Sequence, residues 1–188
     1  MNNMWPAGLK LNSLIPLTQL PMELQSLARG AIDAHRKAYC PYSNFAVGAA
    51  LLHNDLRITT GCNYENCVLK SCCAELCAIV KSNSEGLRKA TAVAIYGRSK
   101  TLNVKSLPPP DTLTPPCGVC RQSLVEVADL SNNYESFLVV LVSLDMQHAK
   151  VLKLCDLMPL KFGPSDIGIN VSQLQEQVEA DEEISKEK

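Results

Sequence analysis

Three cysteines and a glutamate in two short segments of this 188-residue chain have the types and spacing for metal chemistry. Cys73-Ala74-Glu75 opens one helical stretch, and Pro116-Cys117-Gly118-Val119-Cys120 opens another. Cysteines three apart at a helix start share one face, and the free N–H groups and dipole of the helix N-terminus favour their thiolate forms. A third thiolate from a second helix start gives one ion three ligands and leaves its fourth tetrahedral position open, as in catalytic zinc; structural sites usually fill all four. Water bound there loses its proton near neutral pH. Glu75, two residues from a ligand and not itself one, can take a proton and pass it to a leaving amine. Two blander readings stand beside this one: Cys117 and Cys120 are half of a structural zinc site completed by Cys72 and Cys73, or they are reduced core cysteines.

The elements that must carry these residues follow from pattern. Met22, Leu24, Leu27, Ala28, Ala31 and Ala34 recur at helical spacing and predict a first helix over 21–38, with Pro21 near its first turn. The apolar run Phe45 to Leu52 and the Ile/Thr-rich stretch Arg57 to Asn63, joined through Asn54-Asp55, predict a hairpin. Helices are expected from about Cys73 to Asn83, closed by Gly86, and from Gly118 to Leu130; strands are expected at Thr91–Tyr96, Phe137–Val142 and Val151–Cys155. The segment Arg98 to Pro116 holds five prolines and reads as a long loop. A short helical turn is expected at 156–160, and the stretch from about Val171 has the composition of a solvated tail or a frayed helix. Strands separated by helices give an α/β layered domain with a mixed five-stranded sheet. The chain divides into an N-terminal extension (1–18), one catalytic domain (19–168) and a polar acidic tail (169–188).

Composition narrows the class of ligand. The formal charge of −1 and the absence of any run of five or six Lys or Arg argue against a nucleic-acid partner, whose binders carry a basic stripe, and favour a small neutral ligand. No apolar run approaches the roughly 20 residues that would cross a bilayer, and the N-terminus lacks the order of a secretory signal, so no membrane partner is expected. Nine cysteines, an odd number, several of them inside apolar periodic segments, suit a reduced, cytoplasmic setting.

The ordered motifs carry a resemblance. Ala38-Tyr39-Cys40-Pro41-Tyr42-Ser43-Asn44-Phe45, Val47-Gly48-Ala49-Ala50-Leu51 and Gly61-Cys62-Asn63-Tyr64-Glu65-Asn66 come first. Cys73-Ala74-Glu75, Pro116-Cys117-Gly118-Val119-Cys120-Arg121-Gln122 and Leu157-Met158-Pro159-Leu160-Lys161-Phe162-Gly163-Pro164 follow. The pair C-A-E and P-C-x-x-C is the all-cysteine form of the zinc deaminase signature. From about Leu24 to Ile167 the chain resembles the cytidine deaminase family, in particular its small-subunit, all-cysteine, homotetrameric enzymes. The resemblance implies a three-layer cytidine-deaminase-like fold and one Zn²⁺ per subunit on Cys73, Cys117 and Cys120. It implies hydrolysis at C4 of cytidine and deoxycytidine to uridine and deoxyuridine plus ammonia, a pyrimidine salvage reaction, with Glu75 carrying the protons. Phe45 would pack on the pyrimidine, Asn63 and Glu65 would bind the sugar hydroxyls, and the backbone at Ala74 and Pro116 would read the base edge. Phe162 would reach a neighbouring subunit's site.

The chain departs from the family in two places. Leu76 stands where an Arg usually follows the catalytic Glu, so compensation for three thiolates falls to another cation, with Arg121 and Lys70 the candidates. The stretch from Asn66 to Cys73 is one residue short, which brings Cys72 beside the expected ligand. Two rival functions remain at this stage: deamination of another cytosine-containing substrate, or a zinc-stabilised deaminase-like protein without activity.

Overall fold

The computed structural model describes residues 5–6, 8–101, 109 and 111–186. The strands are β1 (Leu14–Pro16), β2 (Phe45–His53), β3 (Ile58–Cys62), β4 (Ala90–Ser99), β5 (Leu138–Val142) and β6 (His148–Lys153). The helices are α1 (Met22–His35), α2 (Ala74–Ser84), α3 (Gly118–Leu130), α4 (Leu154–Leu157) and α5 (Val171–Lys186).

The strands form one mixed sheet in the order β1-β6-β5-β4-β2-β3, with β4 and β5 parallel and every other pair antiparallel. The sheet therefore has six strands, not five. The additional one, β1, is three residues in the N-terminal segment, too short to show a periodicity, and it forms by pairing with the free edge of β6. The acidic C-terminal stretch is also ordered as α5, where Lys89 pairs with Glu179, Arg88 with Asp181, and Gln175 donates to the Asp129 carbonyl. Loop residues 102–108 and 110, including Pro108 and Pro110, lie outside the described residues.

Both faces of the sheet are buried, which is why its strands read as continuous apolar runs. Ala50, Leu52, Ala92, Ala94, Tyr96, Val140 and Val151 face α1, packing on Leu24, Leu27, Ala28 and Ala31. Their alternate neighbours Ala49, Leu51, Val93, Ile95, Val139 and Leu141 face Ala74 and Ala78 of α2 and Leu124, Val125 and Ala128 of α3. The period-2 alternation thus assigns one helix to one layer and two to the other.

Two glycines in the hairpin set how closely those layers approach. A Cβ built on Gly48 would stand 2.1 Å from the Ala31 carbonyl oxygen and 2.3 Å from the His35 nitrogen of α1. One built on Gly61 would stand 2.3 Å from the Ala78 nitrogen and 2.5 Å from the Ala74 oxygen of α2. Gly61 pairs with Ala49 across the hairpin and lies against the first turn of the helix that Cys73 opens. Gly61→Ala forces backbone apart from backbone and is expected to lower the unfolding free energy by about 2–4 kcal/mol. Gly118→Ala, where no atom lies within 4 Å of the added carbon, is expected to change it by less than about 0.5 kcal/mol. Urea titration of the metal-free proteins measures both.

Candidate metal centre

Strand direction brings the two cysteine segments together. β3 and β4 each run antiparallel to β2, and β4 and β5 are parallel, so β3, β4 and β5 all point the same way. A helix that returns the chain between two such strands starts at their C-terminal ends. α2 connects β3 to β4 and α3 connects β4 to β5, so both helix N-termini meet at one edge of the sheet. Cys73 is the N-cap of α2 and Cys117 the N-cap of α3, each with extended backbone (ψ 152° and 170°). Thr114, whose hydroxyl donates to the Gly97 carbonyl at 3.2 Å, fastens the chain just before Cys117 to the end of β4.

The sulfurs of Cys73, Cys117 and Cys120 all lie within 4.8 Å of one another. Cys73 and Cys117, 44 residues apart, are separated by 3.9 Å, and Cys117 and Cys120 by 3.6 Å. Thiolates about 2.3 Å from a tetrahedral zinc stand about 3.8 Å apart, so this donor set has the spacing and the soft ligand chemistry that the ion requires. Among the described residues the cluster has three members, and Cys72 is not one of them.

Protons and charges in the cluster are unevenly held. Burial opposes ionisation of Cys117, but hydrogen bonds from the Cys120 and Val119 backbone N–H groups and from the Cys120 and Cys73 thiols outweigh it, and the pKa falls below the usual thiol value. Burial and the charges of Cys117 and Glu75 push Cys73 up to about 11. Burial and the same carboxylate push the fully buried Cys120 higher still. Cys117 is thus the most acidic of the three, and the higher proton affinity of Cys73 and Cys120 means that loading a divalent ion expels protons.

Glu75, in the first turn of α2, is 4% exposed. Burial raises its carboxyl pKa, while hydrogen bonds from its own backbone N–H and from Cys120 act the other way. A carboxyl group beside an open ligand position, with its pKa moved toward neutrality, is equipped to accept and return a proton.

The other residues singled out from the sequence are placed as follows. Asn63 accepts from the Val47 N–H at 2.8 Å and donates to the Phe45 carbonyl at 2.9 Å. Glu65 accepts through Oε2 from the Tyr42 and Ser43 N–H groups at 2.9 and 3.2 Å, and hydrogen bonds from the Ser43 side chain and from these amides hold its pKa below the usual carboxylate range. Both side chains thereby clamp the turn that presents Phe45, a role visible only once β2 and β3 are paired. Tyr64, between them, exchanges backbone hydrogen bonds with Cys72 at 2.9 and 3.0 Å, which joins this segment to the residue before Cys73. Phe45 is 39% exposed and Phe162 58% exposed, so neither is core. Ala74 and Pro116 are buried. The Pro116 carbonyl accepts from Arg121 Nε at 2.9 Å, and the same guanidinium donates to the Leu157 carbonyl at 3.3 Å. Arg121 therefore braces the backbone around the site, and Lys70 is exposed at the surface.

Comparison with known proteins agrees with this architecture. Residues 21–134 match the family model described as the cytidine and deoxycytidylate deaminase zinc-binding region. The cytidine deaminase of Halalkalibacterium halodurans is 40% identical over 107 residues, covering 56% of this chain and 73% of that protein. That of Sporosarcina psychrophila is 34% identical over 157 residues, covering 81% and 100%. The crystal structure of cytidine deaminase from Burkholderia pseudomallei superposes with a TM-score of 0.60 at 34% identity, covering 73% of this chain and 97% of that one. With its zinc-binding region spanning β2, β3, β4 and both cysteine-bearing helices, the chain belongs to the cytidine deaminase family.

Proposed function

We propose that this protein hydrolyses the C4 amine of cytidine and deoxycytidine, releasing ammonia and the corresponding uridine. The observation that carries the reading is the meeting of three sulfurs at tetrahedral spacing with a buried carboxylate two residues from one of them. Cys73, Cys117 and Cys120 hold the metal. When bound, zinc lowers the pKa of a water ligand to near neutrality and so supplies the nucleophile. Glu75 takes the water proton, delivers it to N3 of the pyrimidine, and then carries a proton to the departing amine. Its burial raises its proton affinity, which favours a group that must take up a proton before passing it on.

Recognition falls to the edge of the hairpin. Phe45 offers an exposed ring for the pyrimidine face, and Ala74 and Pro116 present backbone groups to the base edge. Glu65, which holds the turn through Oε2, and Asn63, which holds it through Oδ1 and one amide hydrogen, would share their remaining hydrogen-bonding capacity with the sugar hydroxyls. A site built around such groups discriminates against ligands without the hydroxyls. We assign the working form to a homotetramer with shared active sites, because Phe162 and Leu160, 58% and 94% exposed, offer apolar surface next to Arg121-braced backbone at Leu157. A cytoplasmic setting suits nine free cysteines, three of them needed as metal ligands. No helix among the described residues is long and apolar enough to cross a membrane.

Ultraviolet assay of cytidine conversion on purified protein, with zinc quantified in parallel, tests the reading. Glu75→Gln is expected to retain zinc and folding while losing at least roughly 10²- to 10⁴-fold in kcat; a near-normal rate overturns the assignment. Cys120→Ala is expected to lose stoichiometric zinc by metal analysis, and turnover with it. Glu65→Gln is expected to lower kcat/KM for cytidine by about 10- to 100-fold, the loss of one charged hydrogen bond, with circular dichroism checking that the clamp still folds.

A further inference from the structure

Asp129 stands one residue before the end of α3, at the negative pole of the helix, where a carboxylate is electrostatically disfavoured. It is nevertheless buried, and a buried carboxylate needs a partner. Lys161 supplies one: its ammonium pairs with Asp129 Oδ1 and stands 4.3 Å from the centroid of the Tyr134 ring. The carboxylate is closely fitted on its other oxygen as well, since a Cβ built on Gly163 would lie 2.9 Å from Asp129 Oδ2. The ion pair joins α3 to the segment 157–163, which forms no strand or helix beyond Leu157 and is held by side chains that take up its carbonyls. The Tyr134 hydroxyl donates to the Met158 carbonyl, Gln122 Nε2 to that of Phe162 at 2.5 Å, and Arg121 to that of Leu157 at 3.3 Å. Arg121 and Gln122 lie near the start of α3 and Asp129 near its end, about 12 Å away along the axis, so the segment is tacked to both ends of one helix.

These contacts reach the metal edge. Arg121 holds the Leu157 carbonyl and, with the same guanidinium, the carbonyl of Pro116, the residue before the ligand Cys117. Where that guanidinium points therefore depends on where the 157–163 segment lies. We propose that Lys161 is a positioning residue for substrate: paired with Asp129, it holds the segment along α3 so that Leu157 keeps Arg121, and through it the Pro116 backbone, in the orientation that meets the base edge. The inference rests on the deaminase reading for the role of that backbone. Lys161 acts through other residues, so cutting its tether weakens nucleoside binding while the three sulfurs and Glu75 keep their places.

The test uses full-length, zinc-loaded protein. Lys161→Met, which keeps the length of the side chain and removes its charge, is expected to raise KM for cytidine about 3- to 30-fold, the range of changes relayed through packed side chains, with zinc retained and kcat changed by less than about 2-fold. Lys161→Arg keeps a cation over Tyr134 and is expected to restore KM to within about 2-fold. Lys161→Met also strands a buried carboxylate and lowers the urea midpoint; combining it with Asp129→Asn removes that charge and is expected to recover the midpoint but not KM. A KM that recovers together with stability assigns the pair a structural role only and overturns the proposal, as does an unchanged KM or a loss confined to kcat. The tether is also read without a nucleoside, from the Arg121 Nε–H resonance in a ¹H–¹⁵N spectrum, assigned by its absence in Arg121→Gln. Its exchange with water is expected to quicken by about 10-fold or more in Lys161→Met and in the double variant, and to stay at the parent rate in Lys161→Arg; an unchanged rate in Lys161→Met overturns the proposal. If the parent converts cytidine and the variants match it, the tether falls and the deaminase reading stands; if the parent converts none, the deaminase reading falls and the Nε–H rates decide the tether.

Discussion

A metal site made of side chains from residues 73 and 117–120 requires that two helix starts face one another, and strand direction alone guarantees it. Because β3, β4 and β5 run the same way, each helix returning between them begins at the same edge of the sheet. The peptide dipoles of α2 and α3 then point their positive ends at one small volume, where N–H groups without helical partners are available to sulfur. If either returning helix began at the other edge, the same cysteines would lie on opposite ends of the domain.

Gathering three sulfurs and a carboxylate there is unfavourable without a cation. Burial raises Cys73, Cys120 and Glu75, and the charges acting on Cys73 and Cys120 are those of Glu75 and the neighbouring thiolates. The protein tolerates this because rigid packing holds the group together: Gly61 lets α2 lie directly on the hairpin, and Leu124, Val125 and Ala128 bury α3 against the same sheet face. The guanidinium of Arg121, which keeps its charge while donating to the Pro116 and Leu157 carbonyls, adds a cation to the backbone next to Cys117.

Asn63 and Glu65 connect the hairpin turn to the metal edge. Their polar atoms hold the turn at 42–47, and the intervening Tyr64 pairs with Cys72, next to a ligand. These bonds fix the turn that carries Phe45 and the sulfurs in one frame.

From the sequence, α1, both cysteine-bearing helices and the hairpin were legible because their signals are local: 3.6-residue periodicity, apolar runs ended by turn residues, and the Pro and Gly that bound the helices. The metal cluster of Cys73, Cys117 and Cys120 was legible too, since sulfur type and spacing at a helix start determine what they can bind. Tertiary structure decided the rest. β1 pairs with the edge that β6 offers and buries Ile15, α5 is held by contacts with residues 88, 89 and 129 and by burial of Val178, and the choice between Cys72 and Cys73 depended on which thiol lies with Cys117 and Cys120. Asn63 and Glu65 gained their role as clamps when β2 and β3 paired. Those outcomes join residues distant in the chain, and a linear pattern carries no information about which distant partner supplies the missing edge, charge or hydrogen bond.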